Sequence, residues 1–249
     1  MDSRDKPGYD DAVMRILERP SPNHDARPGD GIVDMLILHY TGMRSAAEAL
    51  DRLCSSAAKV SAHYVIDEDG TLWRLVAEER RAWHAGVGAW RGRRDINGAS
   101  IGIELVNPGH EFGYRPFPEP QMAALEALVR DILRRQPIPA RHVLGHSDVA
   151  PQRKTDPGEL FDWARLARAG IGLWPDFAAL PPPATSIAEL QEQLAAIGYE
   201  TPRTGAEDAA TTQVIAAFQR HFRPSRCDGK PDAETRQRIA ALAAAIPTS

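Results

Sequence analysis

The stretch Ile32-Val33-Asp34-Met35-Leu36-Ile37-Leu38-His39-Tyr40 decides the fold, because its second half is an apolar run of strand length that ends on an imidazole. Such a run reads as a buried strand of a sheet covered by helices. Ser45 then opens a helix through Ala46-Ala47-Glu48-Ala49-Leu50-Asp51-Arg52-Leu53. Residues 63–66 and 71–76 read as strands flanking Asp67-Glu68-Asp69-Gly70, whose Asp-Gly pair signals a hairpin. Another strand is expected at 99–106, a helix at 121–135 and a short strand at 142–144. Strands and helices interleave without a strict repeat, so the expected class is mixed α/β, a central mixed sheet with flanking helices.

The loop after the last strand, Gly145-His146-Ser147-Asp148-Val149-Ala150-Pro151-Gln152-Arg153-Lys154-Thr155-Asp156-Pro157-Gly158, combines an imidazole, an ammonium and a carboxylate. With His39 from the first strand, His146 and Asp156 offer two nitrogens and one oxygen to a single ion. Hydrolytic zinc sites take three protein ligands of this mixed type and leave a position for water, whereas structural sites fill all four positions and favour thiolates. Water on such an ion ionises near a pKa of about 7, which suits attack on an amide. Glu104, the polar step in Ile101-Gly102-Ile103-Glu104-Leu105, is the candidate general base. Lys154 lies two residues before Asp156, so in an extended loop both side chains project to one side, where an ammonium meets a developing oxyanion. Taken singly, each residue has a plainer reading: His39 and His146 as hydrogen-bonded core histidines, Glu104 as half of an ion pair, Lys154 as a solvated charge. One mechanism uses all five.

With 249 residues, 43% of them hydrophobic and 26% charged, the chain is long enough for one large domain and one small one. A formal charge of -4 and a pI near 6.1 argue against a nucleic-acid binder. Two cysteines, Cys54 and Cys227, do not make a disulfide framework. No signal-peptide core precedes the first strand and no run reaches the about 18 apolar residues of a membrane span, so a cytoplasmic location is expected, with the periplasm as the alternative if the true N-terminus is missing. The expected organisation is a flexible lead-in over 1–20, a catalytic domain over 21–174, a Pro-rich linker over 175–185 around Leu180-Pro181-Pro182-Pro183, and a small three-helix domain over 186–246. In that last part Ser186-Ile187-Ala188-Glu189 is a capping box, Leu190, Leu194 and Ile197 share a face, and Gly198 ends the helix. Two more helices are expected to start at Asp208 and Asp232.

Leu38-His39-Tyr40-Thr41-Gly42, Ser61-Ala62-His63-Tyr64, Arg81-Ala82-Trp83-His84-Ala85-Gly86, Ser100-Ile101-Gly102-Ile103-Glu104 and Gly145-His146-Ser147-Asp148 through Asp156-Pro157-Gly158 resemble the motifs of the zinc-dependent N-acetylmuramoyl-L-alanine amidases of the AmpD and AmiD type, which share a fold with peptidoglycan recognition proteins. The resemblance implies zinc on His39, His146 and Asp156, with Glu104 and Lys154 as catalytic partners. It implies hydrolysis of the amide between N-acetylmuramic acid, or its 1,6-anhydro form, and L-alanine of peptidoglycan or muropeptides during bacterial cell-wall turnover. The tail is similar to a three-helix peptidoglycan-binding domain, with Thr204-Gly205 where that domain often shows Asp-Gly.

Tyr40, Trp83, His84, Arg91, Arg93 and Asn97 are the expected substrate-binding residues, with indole against sugar or peptide and guanidinium against stem carboxylates. For Trp83, His84 and the arginines the plainer roles are core, structural hydrogen-bonding and solvated loop. His63 and His142 are assigned to packing or to orienting other side chains. The alternative function is a recognition protein that binds muropeptides without cutting them.

Overall fold

The structure, a computed structural model, describes residues 15–177 and 182–246. In chain order its elements are β1 (Ile16–Glu18), β2 (His24–Ala26), β3 (Met35–Tyr40), α1 (Ala46–Leu53), β4 (Tyr64–Ile66), β5 (Leu72–Arg74), β6 (Arg80–Ala82), α2 (Ile96–Ala99), β7 (Ser100–Leu105), α3 (Gly109–Phe112), α4 (Glu119–Arg135), β8 (Val143–Gly145), α5 (His146–Val149), α6 (Trp163–Arg168), α7 (Ile187–Ile197), α8 (Ala209–Phe222) and α9 (Ala233–Ala245). Six strands make one mixed sheet in the order β1-β5-β4-β7-β3-β8, and β2 pairs with β6 alone. β3 runs parallel to β7 on one side and to β8 on the other. The expected hairpin is β4-β5, antiparallel, with Gly70 at a φ of 87° in its turn. Among the described residues no helix is long and apolar enough to cross a membrane.

Alternation along the strands gives the sheet two unlike faces. Leu36 and Leu38 of β3 point the same way as Ile101 and Ile103 of β7 and Tyr64 and Ile66 of β4, and on this face α4 packs Met122, Leu125, Leu128, Val129 and Ile132. That spacing is the apolar stripe of a helix. The other face carries Met35, Ile37 and His39 from β3, with Gly102 and Glu104 from β7. Met35 and Ile37 share one core with Leu190 and Leu194 of α7, Val214 and Phe218 of α8, and Ile239 and Leu242 of α9. Each fully buried side chain of this size contributes about 1.5–3 kcal/mol, so the C-terminal helices are fastened to the sheet by apolar burial.

Residues 16–18, expected in a flexible lead-in, instead form an edge strand paired in parallel with β5. Three residues are too few to show alternation, and the same brevity hides β2 and β6 in the sequence. The parts of the expected lead-in and linker at 1–14 and 178–181 lie outside the described residues.

At the last turn of α4 a polar cluster ties the helix to the loop before β6. Glu78, only 6% exposed, accepts from Arg135 Nη1 at 2.6 Å and Nη2 at 3.1 Å, from Tyr64 Oη at 2.8 Å and from Gln136 Nε2 at 3.2 Å. Burial alone would push this carboxyl up, but Arg135, Tyr64 and Gln136 together hold it below the usual carboxylate range. Stability from such a group is present above its unfolded pKa, about 4.3, and is lost as pH falls through the lower folded value. Glu78→Gln is therefore expected to cost about 1–3 kcal/mol at pH 7, discounted for the exposed Arg135, and the deficit should shrink in strong acid. Urea unfolding of both proteins across that range checks this; a deficit that does not change with pH counts against it.

Candidate metal centre and groove

His39 stands near the C-terminal end of β3, His146 opens α5, and Asp156 lies at the end of the loop that follows. His39 Nδ1, His146 Nδ1 and Asp156 Oδ2 are each 3.0 Å from the other two. Ligand atoms held at about 2.0–2.1 Å by a tetrahedral ion stand about 3.3 Å apart, so this buried triangle is close to metal size. The loop is fixed internally: Ser147 N donates to Asp156 O at 2.9 Å, Ala150 N to His146 O at 3.0 Å, and Lys154 N to Ala150 O at 3.0 Å.

Counting protons shows what the triangle offers. His146 Nε2 lies 2.8 Å from the Ala85 carbonyl, which can only accept, so the neutral ring carries its proton there and Nδ1 is bare. His39 is settled by a longer chain. Ser100 Oγ donates to Ile96 O at 2.6 Å, hence accepts from His84 Nε2 at 3.2 Å; His84 Nδ1 then accepts from His39 Nε2 at 3.1 Å, leaving His39 Nδ1 bare. Two imidazole lone pairs and a carboxylate oxygen thus converge with no hydrogen between them. A divalent cation is what such a donor set accommodates.

Burial foremost, and the neighbouring His146, push His39 down to about 4. His84 is driven well below its ordinary value, chiefly by burial and then by His39 and His63. Burial would raise Asp156, and without a cation what holds it far below the carboxylate range is a proton shared from His146 and His39, the place a divalent ion takes over. Gly102 makes room for this arrangement, since a Cβ there would overlap the His84 ring.

The β3–β7 register sets Glu104 directly beside His39. Glu104 Oε2 is enclosed and has no hydrogen-bond partner, and its carboxyl is pushed well above the usual range by burial and by the Asp156 charge, with Lys154 opposing. Lys154, half-buried, lines the same groove. The groove holds about 670 Å³ and is also lined by Tyr40, Trp83, Arg52 and Phe112. Tyr40 Oη sits 3.0 Å from both His110 Nδ1 and Thr155 Oγ1.

Of the expected substrate-binding residues, Tyr40, Trp83 and His84 reach the groove, but both His84 ring nitrogens are engaged, by His39 and Ser100. Arg91, Arg93 and Asn97 are not brought to it. Arg91 donates to Ala196 O at 3.2 Å and Arg93 to Asp34 at 2.8 Å, which holds both guanidinium groups elsewhere. Buried Asn97 accepts from the backbone N–H groups of His84 and Ala85 at 3.1 and 2.8 Å and so props up the His84 segment. His63 Nδ1 accepts from Gly102 N at 3.0 Å, and His142 Nδ1 donates to Asp34 O at 2.9 Å. Arg52 and Phe112, on α1 and α3, went unnoticed in the sequence because nothing local marks a helix residue as facing a distant loop.

Residues 29–159 match the profile of the N-acetylmuramoyl-L-alanine amidase family, and residues 184–239 match that of a peptidoglycan-binding domain family. The chain is 39% identical over 237 residues to the N-acetylmuramoyl-L-alanine amidase AmiD of Escherichia coli K12, covering 84% of this chain and 82% of that one. Over 164 residues it is 35% identical to the 1,6-anhydro-N-acetylmuramyl-L-alanine amidase AmpD of Enterobacter cloacae, covering 59% of this chain and 86% of the relative. Among solved structures, E. coli AmiD in complex with the substrate anhydro-N-acetylmuramic acid-L-Ala-D-gamma-Glu-L-Lys superposes with a TM-score of 0.74 at 37% identity, covering 90% of this chain and 91% of AmiD. AmpDh3 of Pseudomonas aeruginosa in complex with anhydromuramic pentapeptide gives 0.77 at 36% identity, covering 92% and 96%. With the family profile matched over more than half its length and these relatives alike along most of it, the chain belongs to the N-acetylmuramoyl-L-alanine amidases.

Proposed function

We propose that this chain cleaves the amide between N-acetylmuramic acid, in its 1,6-anhydro form or in wall polymer, and the L-alanine of the stem peptide, with His39, His146 and Asp156 holding zinc. The observation that carries this reading is the triangle of bare electron pairs on the floor of a groove that also contains Glu104 and Lys154. Zinc, when bound, supplies a Lewis acid that lowers the pKa of water and polarises a carbonyl. The anhydro-muropeptides held by AmiD and AmpDh3 support the substrate class, and a groove of about 670 Å³ has the size of an ordinary small-ligand site.

The protein's own groups do the rest. Glu104 takes a proton from the attacking water and passes it to the leaving amine nitrogen; a carboxyl raised by burial is a stronger base than one in water. The Lys154 ammonium faces the oxygen on which negative charge builds. His84, carrying its proton on Nε2, keeps His39 turned with Nδ1 inward. Tyr40 and Trp83 give the groove an amphipathic wall for sugar and peptide.

Glu104→Gln is expected to keep its zinc and lose about 100-fold to 10,000-fold in kcat, and Lys154→Met to lose about 100-fold to 1000-fold, also with zinc retained. His39→Ala, His146→Ala and Asp156→Ala should lose the metal itself. Metal content and turnover of an anhydro-muropeptide, read on the same samples, separate the two groups, and a fully active Glu104→Gln would remove the base assignment. Mass analysis should find a free stem peptide and its sugar as the only products. Gly102→Ala should expel the His84 ring and weaken zinc binding about tenfold or more in a chelator competition; unchanged affinity would mean that His84 does not orient His39.

A further inference from the structure

We propose that Tyr199 and His221, which come from the C-terminal helical region, are positioning residues of the hydrolytic site, acting through Asp148 on the turn that presents His146. The inference rests on the zinc reading of His39, His146 and Asp156. It assigns the helical region a part in building the site.

Asp148 is 1% exposed and lies two residues after His146 in α5. Its Oδ1 accepts from Tyr199 Oη at 2.6 Å, and its Oδ2 accepts from His221 Nδ1 at 2.7 Å and from Gly145 N at 2.8 Å. Two of the three donors are therefore C-terminal, and the third is the backbone N–H immediately before His146. α5 is a single turn of four residues, too short to be stable unaided, so its orientation is set by what grips it. From the catalytic part of the chain it is gripped by Ala85 O on His146, Ala89 N on Val149 O and Asp156 O on Ser147 N. From the C-terminal region it is gripped by Tyr199 and His221 on Asp148.

The two C-terminal side chains are themselves immobilised. His221 is stacked on Trp163 of α6 at 3.7 Å and on Phe222 at 3.9 Å between ring centroids, and Tyr199 meets Trp90 edge-on at 5.0 Å. Around them Leu144, Val149 and Ala150 pack into the same core as Leu194 and Phe218. A carboxylate buried in an apolar seam is costly unless its donors are in place, and an aliphatic residue would close that seam more cheaply. What the carboxylate adds is directionality: three donors fix the rotation of the turn, and with it the direction of the His146 ring.

The test uses the full-length protein loaded with zinc. Tyr199→Phe and His221→Leu are each expected to release zinc to a chelator about tenfold faster at 25 °C and to lower kcat with KM little changed, while His221→Asn, which restores a donor near Nδ1, recovers most of the loss. Leu242→Ala, which loosens the apolar part of the seam without touching Asp148, is expected to lower Tm while leaving zinc release and kcat as in the wild type. If Tyr199→Phe and His221→Leu lower Tm as Leu242→Ala does, yet keep wild-type zinc release and kcat, the positioning role is overturned while the zinc reading stands. A wild-type protein that holds no zinc overturns both.

Discussion

The parallel pairing of β3 with β7 puts His39 level with Glu104 on the one sheet face that α4 does not cover. A slip of β3 by one residue would turn His39 into the Leu-Ile-Met layer under α4, away from Glu104, and bring Leu38 to the groove floor. The hydrolytic arrangement therefore depends on the same constraint that seals the core, and one cannot be lost without the other.

Around that pair the protein gathers groups that oppose burial. His39 and His84 lose their ordinary basicity, and Glu104 is left without a partner for one oxygen. None of this helps folding. It is offset by two apolar layers, one beneath α4 and one beneath the C-terminal helices, and by polar devices such as Arg135 on Glu78. The donor chain from Ile96 through Ser100 and His84 to His39 shows how far the preparation extends, since the backbone carbonyl of the first residue of α2 settles which nitrogen of His39 is bare.

Much of this was legible in the chain. β3, the β4-β5 hairpin, β7, α1, α4 and the three C-terminal helices follow from apolar periodicity, Ser and Asp caps and one Asp-Gly turn, because each is a local pattern. The convergence of His39, His146 and Asp156 was also within reach, since one loop carries two of the three and a strand end carries the third. What stayed hidden was tertiary. His84 reaches the groove, yet both its ring nitrogens go to His39 and Ser100, and the guanidinium groups of Arg91 and Arg93 donate to Ala196 O and Asp34. Sequence names the side chain that can reach a ligand, whereas geometry decides which partner reaches it first.

The apolar layer joining Met35, Ile37, Leu144 and Val149 to the C-terminal helices has a mechanical side. A region joined to an enzyme by linker alone acts as a leash, raising local concentration while leaving orientation free. Here the two parts turn as one body, so whatever the outer surface of the helices grips is presented to the cleft at a set angle and a set span. A ligand held on that surface would meet the cleft in one orientation only.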